Sequence, residues 1–438
     1  MTTTRFAPSP TGRLHVGNLR AALGNWLYAR QQGGRFLLRL DDTDAARSEE
    51  RFVDAIRGDL DWLGMTRDGE ARQSARGALY EARFAGLRAS GRVYPAYETP
   101  QELDLKRKIL LGRGLPPVYD RAALRLGEAE RATLEADGVR PHWRFRLDDA
   151  APIEWPDLIR GAQRFDPATM SDPVVRRADG SWLYLLPSVI DDIDMGVTHV
   201  LRGEDHVSNA AAQAQMFAAL GAPAPTFAHE ALLVGAEGKL SKRMGALGVD
   251  HFRATGVEPA ALRSLLARVG TSLPVEPFAG VDELIATFDF ATFGRAPARF
   301  DEAELAHVNA RVVHQLGFEQ VAARLPEGMT AEAWNVIRPN LNSVAEAADW
   351  WRVVTGPVAP FGEEGEYLAQ AADAASEIDW ADDPWRALTE RLKAETGRKG
   401  RALFLPLRRA LTGLDHGPDM ATLLPLIGRE RALERLRA

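Results

Sequence analysis

Over the first hundred residues the spacing of apolar side chains alternates between two periods. Thr3 to Ala7 reads as a short strand, stopped by the turn-forming Pro8-Ser9-Pro10-Thr11-Gly12. From Leu14 to Arg30, Val16, Leu19, Leu23, Trp26 and Leu27 recur three and four residues apart, the period of one helix face, and Gly33-Gly34 ends the run. Arg35 to Leu40 follows as a mostly buried strand with Asp41-Asp42-Thr43-Asp44 at its C-terminal end. Ser48, with Glu49 and Glu50 behind it, is expected to cap a helix reaching Leu63. Strand, helix, strand, helix on short connections is the pattern of a parallel sheet covered on both faces.

That alternation stops near Tyr97. Pro-rich turns such as Leu115-Pro116-Pro117 and short β-like runs such as His142 to Leu147 predict an inserted subdomain over 98–179. The first pattern then resumes: Trp182 to Leu186 and Val197 to Leu201 are expected strands, Asn209 to Leu220 an Ala-rich helix, and Phe227 to Val234 a third strand. Residues 1–97 and 180–245 therefore read as one α/β domain, Rossmann-like, interrupted by an α+β insertion. From His251 onward no strand alternation is evident, and Pro259 to Val269, Ala331 to Asn335, Val344 to Val354 and Asp383 to Lys393 read as helices of an all-α C-terminal half. The chain shows no internal repeat and no low-complexity tract.

Composition narrows the chemistry. A length of 438 residues implies about three domains, and 45% hydrophobic with 26% charged residues is globular usage. No cysteine is present, which excludes disulfides, a thiol nucleophile and Cys-ligated zinc or iron-sulfur clusters, and the histidines show no metal-ligand spacing; His199, His206 and His229 read as core or hydrogen-bonding residues. No signal-like N-terminus and no apolar run of about 18 residues occurs, so a cytoplasmic protein without a membrane partner is expected. The net charge of −7 hides an asymmetry. From 391 to 438 there are eleven Lys/Arg against five Asp/Glu, so a polyanion can be held there although the body is acidic, a solvated helical surface being the alternative.

Two segments carry candidate chemistry. Arg5 to Asn18 runs from a strand end through a tight turn into a helix, where free N–H groups and the helix dipole attract phosphate. His15 can donate to a phosphoryl oxygen there, and Gly17 allows close backbone approach. Lys239-Leu240-Ser241-Lys242-Arg243 sets three cations among glycines after the last strand of the same sheet, suited to neutralising a triphosphate during nucleotidyl transfer. Alone, either segment is unremarkable; an H-x-G helix start and a K-x-S-K-R loop at opposite ends of one interrupted sheet are a far more specific pair.

These two segments resemble the two signature motifs of class I aminoacyl-tRNA synthetases, His15-Val16-Gly17-Asn18 and Lys239 to Arg243. The runs R-F-A-P-S-P-T-G, G-G-R-F-L-L-R-L-D-D-T-D, D-D-I-D-M-G-V-T-H-V-L-R-G-E-D-H, P-L-R-R-A-L-T-G and the I-G-R-E-R-A-L-E-R-L tail resemble the bacterial glutamyl-tRNA synthetases over nearly the whole chain. The resemblance implies ATP-dependent activation of L-glutamate to glutamyl-adenylate and transfer to the terminal adenosine of tRNA(Glu). It implies ATP and phosphate chemistry at His15, Gly17, Asn18, Lys239, Ser241, Lys242 and Arg243. It implies a glutamate pocket of Arg5, Ala7, Ser9, Asp41, Tyr184 and Arg202, with the arginines suited to carboxylates and Asp41 to the α-ammonium. Mg²⁺ would accompany the ATP phosphates without a dedicated cage, no zinc is expected, and the enzyme would act as a monomer.

The resemblance further divides the chain into the catalytic domain of 1–97 and 180–245, an acceptor-end subdomain of 98–179, a helical stem-contact region of 246–310 and an anticodon-binding region of 311–438. In the last, Arg338, Asn340, Arg398, Lys399 and Arg401 are expected to meet tRNA. Two departures stand out: Asp41 where the family often has Glu, and Asn340 where some members carry a second arginine that helps read the third anticodon base. Charging of tRNA(Gln) as well as tRNA(Glu) is therefore an alternative. A glutaminyl-tRNA synthetase is expected to end in β-barrels, a tRNA-modifying paralogue lacks the C-terminal half, and a small-metabolite nucleotidylyltransferase has no use for it.

Overall fold

A computed structural model of the chain describes residues 1–44, 46–235 and 248–438, together with the backbone of Gly238 and Lys239. The chain forms two compact units, one of residues 1–251, 263–276 and 280–301, the other of 252–262, 277–279 and 302–438.

The first unit opens with β1 (Thr3–Phe6), α1 (Val16–Gln31), β2 (Arg35–Leu40), α2 (Glu50–Trp62) and β3 (Gly69–Arg72), then α3 (Gly77–Ala89). β1, β2 and β3 pair in parallel, with Arg5 opposite Leu37 and Leu38 opposite Glu70. Ser48 does not cap α2, since Glu49 precedes it without a side-chain cap bond and the Ser48 hydroxyl lies buried without a partner among the described residues. The acidic first turn at Glu50 supplies part of what a cap would.

β4 (Val93–Ala96) precedes the insertion, which contributes α4 (Pro100–Gly112), α5 (Glu128–Ala136), β5 (His142–Phe145), a hairpin of β6 (Ile153–Asp157) and β7 (Gly161–Phe165), and β8 (Val174–Arg176). β4, β5 and β8 make an antiparallel sheet, and their Val93, Phe145 and Val175 share one core with Leu186, Val189, Ile190, Met216 and Phe217. The Rossmann-like part then resumes with α6 (Leu185–Asp194), β9 (His199–Gly203), α7 (Val207–Ala219), β10 (Thr226–Glu230) and β11 (Leu233–Gly235).

Two strand expectations need correction. Trp182 to Leu186 is not a strand: α6 begins at Leu185, because Leu186, Val189 and Ile190 repeat at helical spacing and Pro187 sits in the first turn, where its missing N–H costs nothing. The run Phe227 to Val234 breaks into β10 and β11 at Ala231-Leu232, where the backbone turns to side chains: the Ala231 carbonyl accepts from Arg20 Nη1 (2.9 Å) and the Leu232 N–H donates to Glu204 (3.1 Å).

β9 and β10 pair in parallel, and β9 lies beside β1, with the Thr198 N–H donating to the Thr3 carbonyl (2.9 Å) and the Thr3 N–H to Thr198 Oγ1 (2.9 Å). The three-stranded β3-β2-β1 sheet and the two-stranded β9-β10 sheet thus lie edge to edge without a ladder between β1 and β9, and the direction of winding reverses there. α1 crosses there, and Asn25 fastens it: its side chain donates to the Leu201 carbonyl (2.8 Å) and accepts from the Leu201 N–H (3.3 Å). Gly24 permits the crossing, since a Cβ there would come within 2.3 Å of Leu201 Cδ2. Ala298–Arg299 forms a two-residue strand parallel to β11, and Gly238–Lys239 pairs antiparallel with it.

The second unit is helical among its described residues. Its core gathers Trp334, Ile337, Leu368, Ala371, Leu388, Leu392, Leu407, Leu423, Leu424 and Ile427, all buried. Among the described residues no helix is long and apolar enough to cross a membrane.

Candidate active site

Open parallel sheets bind ligands beyond the carboxyl ends of their strands, at the point where winding reverses. A cleft of about 670 Å³ lies at the ends of β1 and β9, lined by the Arg5-to-Asn18 segment, Asp41, Tyr184, Arg202 and His206 among others. It gathers Arg5, Ala7, Ser9, Asp41, Tyr184 and Arg202 with His15, Gly17 and Asn18.

At its helical edge His15 is the residue capping α1. His15 Nδ1 accepts from the Gly17 N–H (3.2 Å), and the His15 N–H donates to Asn18 Oδ1 (3.3 Å). Desolvation lowers its pKa, so the ring is neutral near pH 7, and with Nδ1 accepting, Nε2 carries the hydrogen. That edge presents an imidazole donor beside a helix N-terminus. A Cβ at Gly17 would press within 3.1 Å of the His15 ring and displace it by a few tenths of an ångström.

Arg5 and Asp41 of the cleft lining belong to a buried charge network centred on Arg39, which is fully buried. Its guanidinium donates to both Asp41 oxygens (Nε 2.7 Å, Nη2 3.2 Å), to Asp192 (2.6 Å) and to the Ser188 hydroxyl (3.0 Å). Arg5 donates to Asp192 from Nε (3.2 Å) and Nη2 (3.4 Å). Burial pushes the Asp41 carboxyl up despite Arg39; Asp192, equally desolvated, is held down because Arg5 and Arg39 both face it. Asp41 is therefore no isolated carboxylate waiting for an ammonium. Arg39 orients it, and each oxygen keeps a further lone pair.

Arg202 is 7% exposed and differs from Arg5 and Arg39 in its partners. Nε donates to His229 Nε2 (3.2 Å), Nη1 to the Tyr184 hydroxyl (3.1 Å) and Nη2 to Gln213 Oε1 (2.9 Å), all three neutral acceptors. Burial lowers its pKa, yet it stays ionised at neutral pH, with one N–H on each terminal nitrogen left over. His206 lines the same wall, edge-on to Tyr184; burial first, then Arg202, pushes it down to about 4, so it adds no charge.

Residues 1–307 match the family tRNA synthetases class I (E and Q), catalytic domain, and residues 360–438 match an anticodon binding domain. The chain belongs to the class I tRNA synthetases (E and Q). Among its relatives, Glutamate--tRNA ligase 1 of Rhizorhabdus wittichii is 68% identical, covering 100% of this chain and 99% of that protein. Glutamate--tRNA ligase 2 of Erythrobacter litoralis is 64% identical over 100% and 98%. A crystal structure of a glutamate tRNA ligase from Elizabethkingia meningosepticum in complex with its amino acid has a TM-score of 0.86 at 27% identity, covering 99% of this chain and 98% of that one.

Of the residues expected to carry chemistry in this class I synthetase, Ser241, Lys242 and Arg243 lie outside the described residues, and Lys239 is described by its backbone alone, opposite Val234. In the helical unit, Arg338 and Asn340 share one turn, Arg338–Asn340. Arg338 donates to the Leu316 carbonyl (2.5 Å), which also accepts from Trp334 Nε1, while Asn340 is exposed. Lys399 and Arg401 are exposed. Arg398 is not a free cation: it donates to Glu364 (2.7 Å) and lies over the Tyr367 ring at 4.1 Å.

Sequence reasoning passes over Arg39, Ser188, Asp192 and Gln213. Arg39 leaves a trace, a charged residue inside the apolar strand R-F-L-L-R-L two positions before Asp41, hence on the same strand face. Asp192, Ser188 and Gln213 leave none, since their partners are more than ten residues away in the chain.

Proposed function

We propose that this chain is a glutamate-specific tRNA ligase whose glutamate site is the cleft at the β1/β9 switch. The observation that carries the reading is Arg202, a buried guanidinium at the cleft whose partners among the described residues are all neutral. A desolvated cation hydrogen-bonded only to neutral groups, with Asp192 acting on it solely at longer range, is costly, and a substrate carboxylate supplies the missing contact through a two-pronged, charge-assisted pair. Arg5, already paired with Asp192, is the weaker candidate for that role.

In this reading the α-carboxylate of glutamate attacks the α-phosphorus of ATP, the bond to the β-phosphate breaks, and pyrophosphate leaves. A hydroxyl of the terminal ribose of tRNA then attacks the acyl carbon, and AMP leaves. No step bonds covalently to the protein, so its tasks are positioning and charge stabilisation. His15 Nε2–H donates to the phosphates at the start of α1, and the charges of Lys239, Lys242 and Arg243, with the Ser241 hydroxyl, serve the same triphosphate. Mg²⁺ entering with ATP takes its oxygens from phosphate and water without a dedicated cage. The insertion holds the acceptor end, the C-terminal unit the anticodon, and the enzyme acts as a cytoplasmic monomer.

ATP–pyrophosphate exchange with each amino acid, with and without tRNA, tests the reading. Glutamate alone should support exchange; exchange driven equally by glutamine, or by no amino acid, overturns it. Repeating the charging step with purified tRNA(Gln) reads how strictly the turn bearing Asn340 selects the anticodon.

A further inference from the structure

Behind Arg202 stands a buried relay that begins in the insertion. Asp157, the last residue of β6, and His229, in β10, both have fully buried side chains. Asp157 Oδ1 accepts three backbone N–H groups, from Ile159 (3.1 Å), Arg160 (2.9 Å) and His229 (3.2 Å). Its Oδ2 lies 2.5 Å from His229 Nδ1, and His229 Nε2 lies 3.2 Å from Arg202 Nε.

Only one arrangement of hydrogens satisfies this relay. Arginine Nε is always a donor, so His229 Nε2 must offer its lone pair, and His229 Nδ1 must then carry the hydrogen and donate to Asp157. Burial lowers the His229 pKa, which keeps the ring neutral and the lone pair present. The hairpin carrying Asp157 is itself anchored, by the Leu158 N–H donating to the Phe227 carbonyl (2.9 Å) and by Arg160 on Glu204 (2.6 Å).

We propose that Asp157 and His229 are positioning residues for glutamate: Asp157 fixes the His229 tautomer, and that tautomer holds the Arg202 guanidinium facing the cleft. This rests on the reading of Arg202 as the carboxylate receptor. Asp157→Asn is the incisive change. Asparagine Oδ1 keeps the three backbone bonds, so its NH₂ faces His229 Nδ1 and forces the hydrogen onto Nε2, where it meets Arg202 Nε–H head on.

The test is steady-state glutamylation of tRNA by the full chain, with thermal unfolding and ¹⁵N NMR of the histidine rings in parallel. Asp157→Asn should raise KM for glutamate about 10- to 100-fold, the usual cost of losing an orienting partner, while KM for ATP and Tm stay near wild type. The His229 ring should switch from the Nδ1-H to the Nε2-H form. His229→Gln, whose amide can donate to Asp157 and accept from Arg202, should lose about tenfold less than His229→Leu. An Asp157→Asn enzyme with unchanged KM for glutamate overturns the proposal, as does equal damage in both His229 variants accompanied by equal loss of Tm. A wild-type chain that does not glutamylate tRNA would instead remove the functional reading beneath it.

Discussion

Arginines do opposite work in the cleft and in the C-terminal helices. At the cleft, Arg5 and Arg202, with Arg39 behind them, are each under 8% exposed, and two carboxylates, a serine, a histidine, a tyrosine and an amide fix their orientation. In the helical unit, Arg391 with Glu377 and Glu395, Arg398 with Glu364, and Arg409 with Asp415 make pairs about one-third exposed or more. Charges removed from water are held in one geometry and cannot be left unpaired, which suits discrimination between similar small molecules. Charges left in water are cheap to rearrange and weak one by one, which suits a long polyanion gripped at many points.

Four measurements bear on that contrast. The largest effect should come from Arg202→Ala. Selection of glutamate over glutamine is expected at about 10⁴-fold in the wild type, because a neutral amide leaves the buried guanidinium unsatisfied, and the substitution should collapse most of that ratio in competitive charging. If discrimination survives, the buried cation is not what selects.

Next comes Arg39→Met, which strands Asp41 and part of Asp192 without a counter-ion. Urea unfolding should show a loss of about 3–5 kcal/mol, as for breaking a buried ion pair from one side. A loss below about 1 kcal/mol would place the cleft network in the same class as the surface pairs.

A smaller effect is expected in tRNA binding. Replacing Lys399 and Arg401 by Gln should flatten the slope of log affinity against log salt by about 1.4 to 1.8 units if both meet phosphates. Adding Arg398→Gln should change it by well under one further unit, because Glu364 already neutralises that cation. A full extra unit would mean that the pair opens on tRNA. Smallest of all, Arg409→Ala removes an exposed pair with Asp415 and should alter stability by under about 1 kcal/mol.

The local parts of the fold are legible in the sequence. β1, α1 and β2 follow from the run of apolar spacings broken by Pro-Ser-Pro-Thr-Gly and Gly-Gly, signals that act within a few residues. The same is true of His15 at the start of α1 and of the basic bias after residue 391. Where a local pattern admits two answers, packing chooses: Trp182 to Leu186 has the β-like aromatic and aliphatic content of a strand, yet a helix is what buries Leu186, Val189 and Ile190 in one core.

Local spacing suffices for the order of most elements, and the two motifs, with the resemblance they carry, are written in short runs of neighbouring residues. The contacts of Arg39 with Asp192 and Ser188, the neutral hydrogen-bond partners of Arg202, and the reach of Asp157 through His229 are settled only when segments distant in sequence come together. A guanidinium's role depends on which acceptors meet it and on how much water remains, and both are set by chain segments that, for Arg202 and Asp157, stand 45 residues apart.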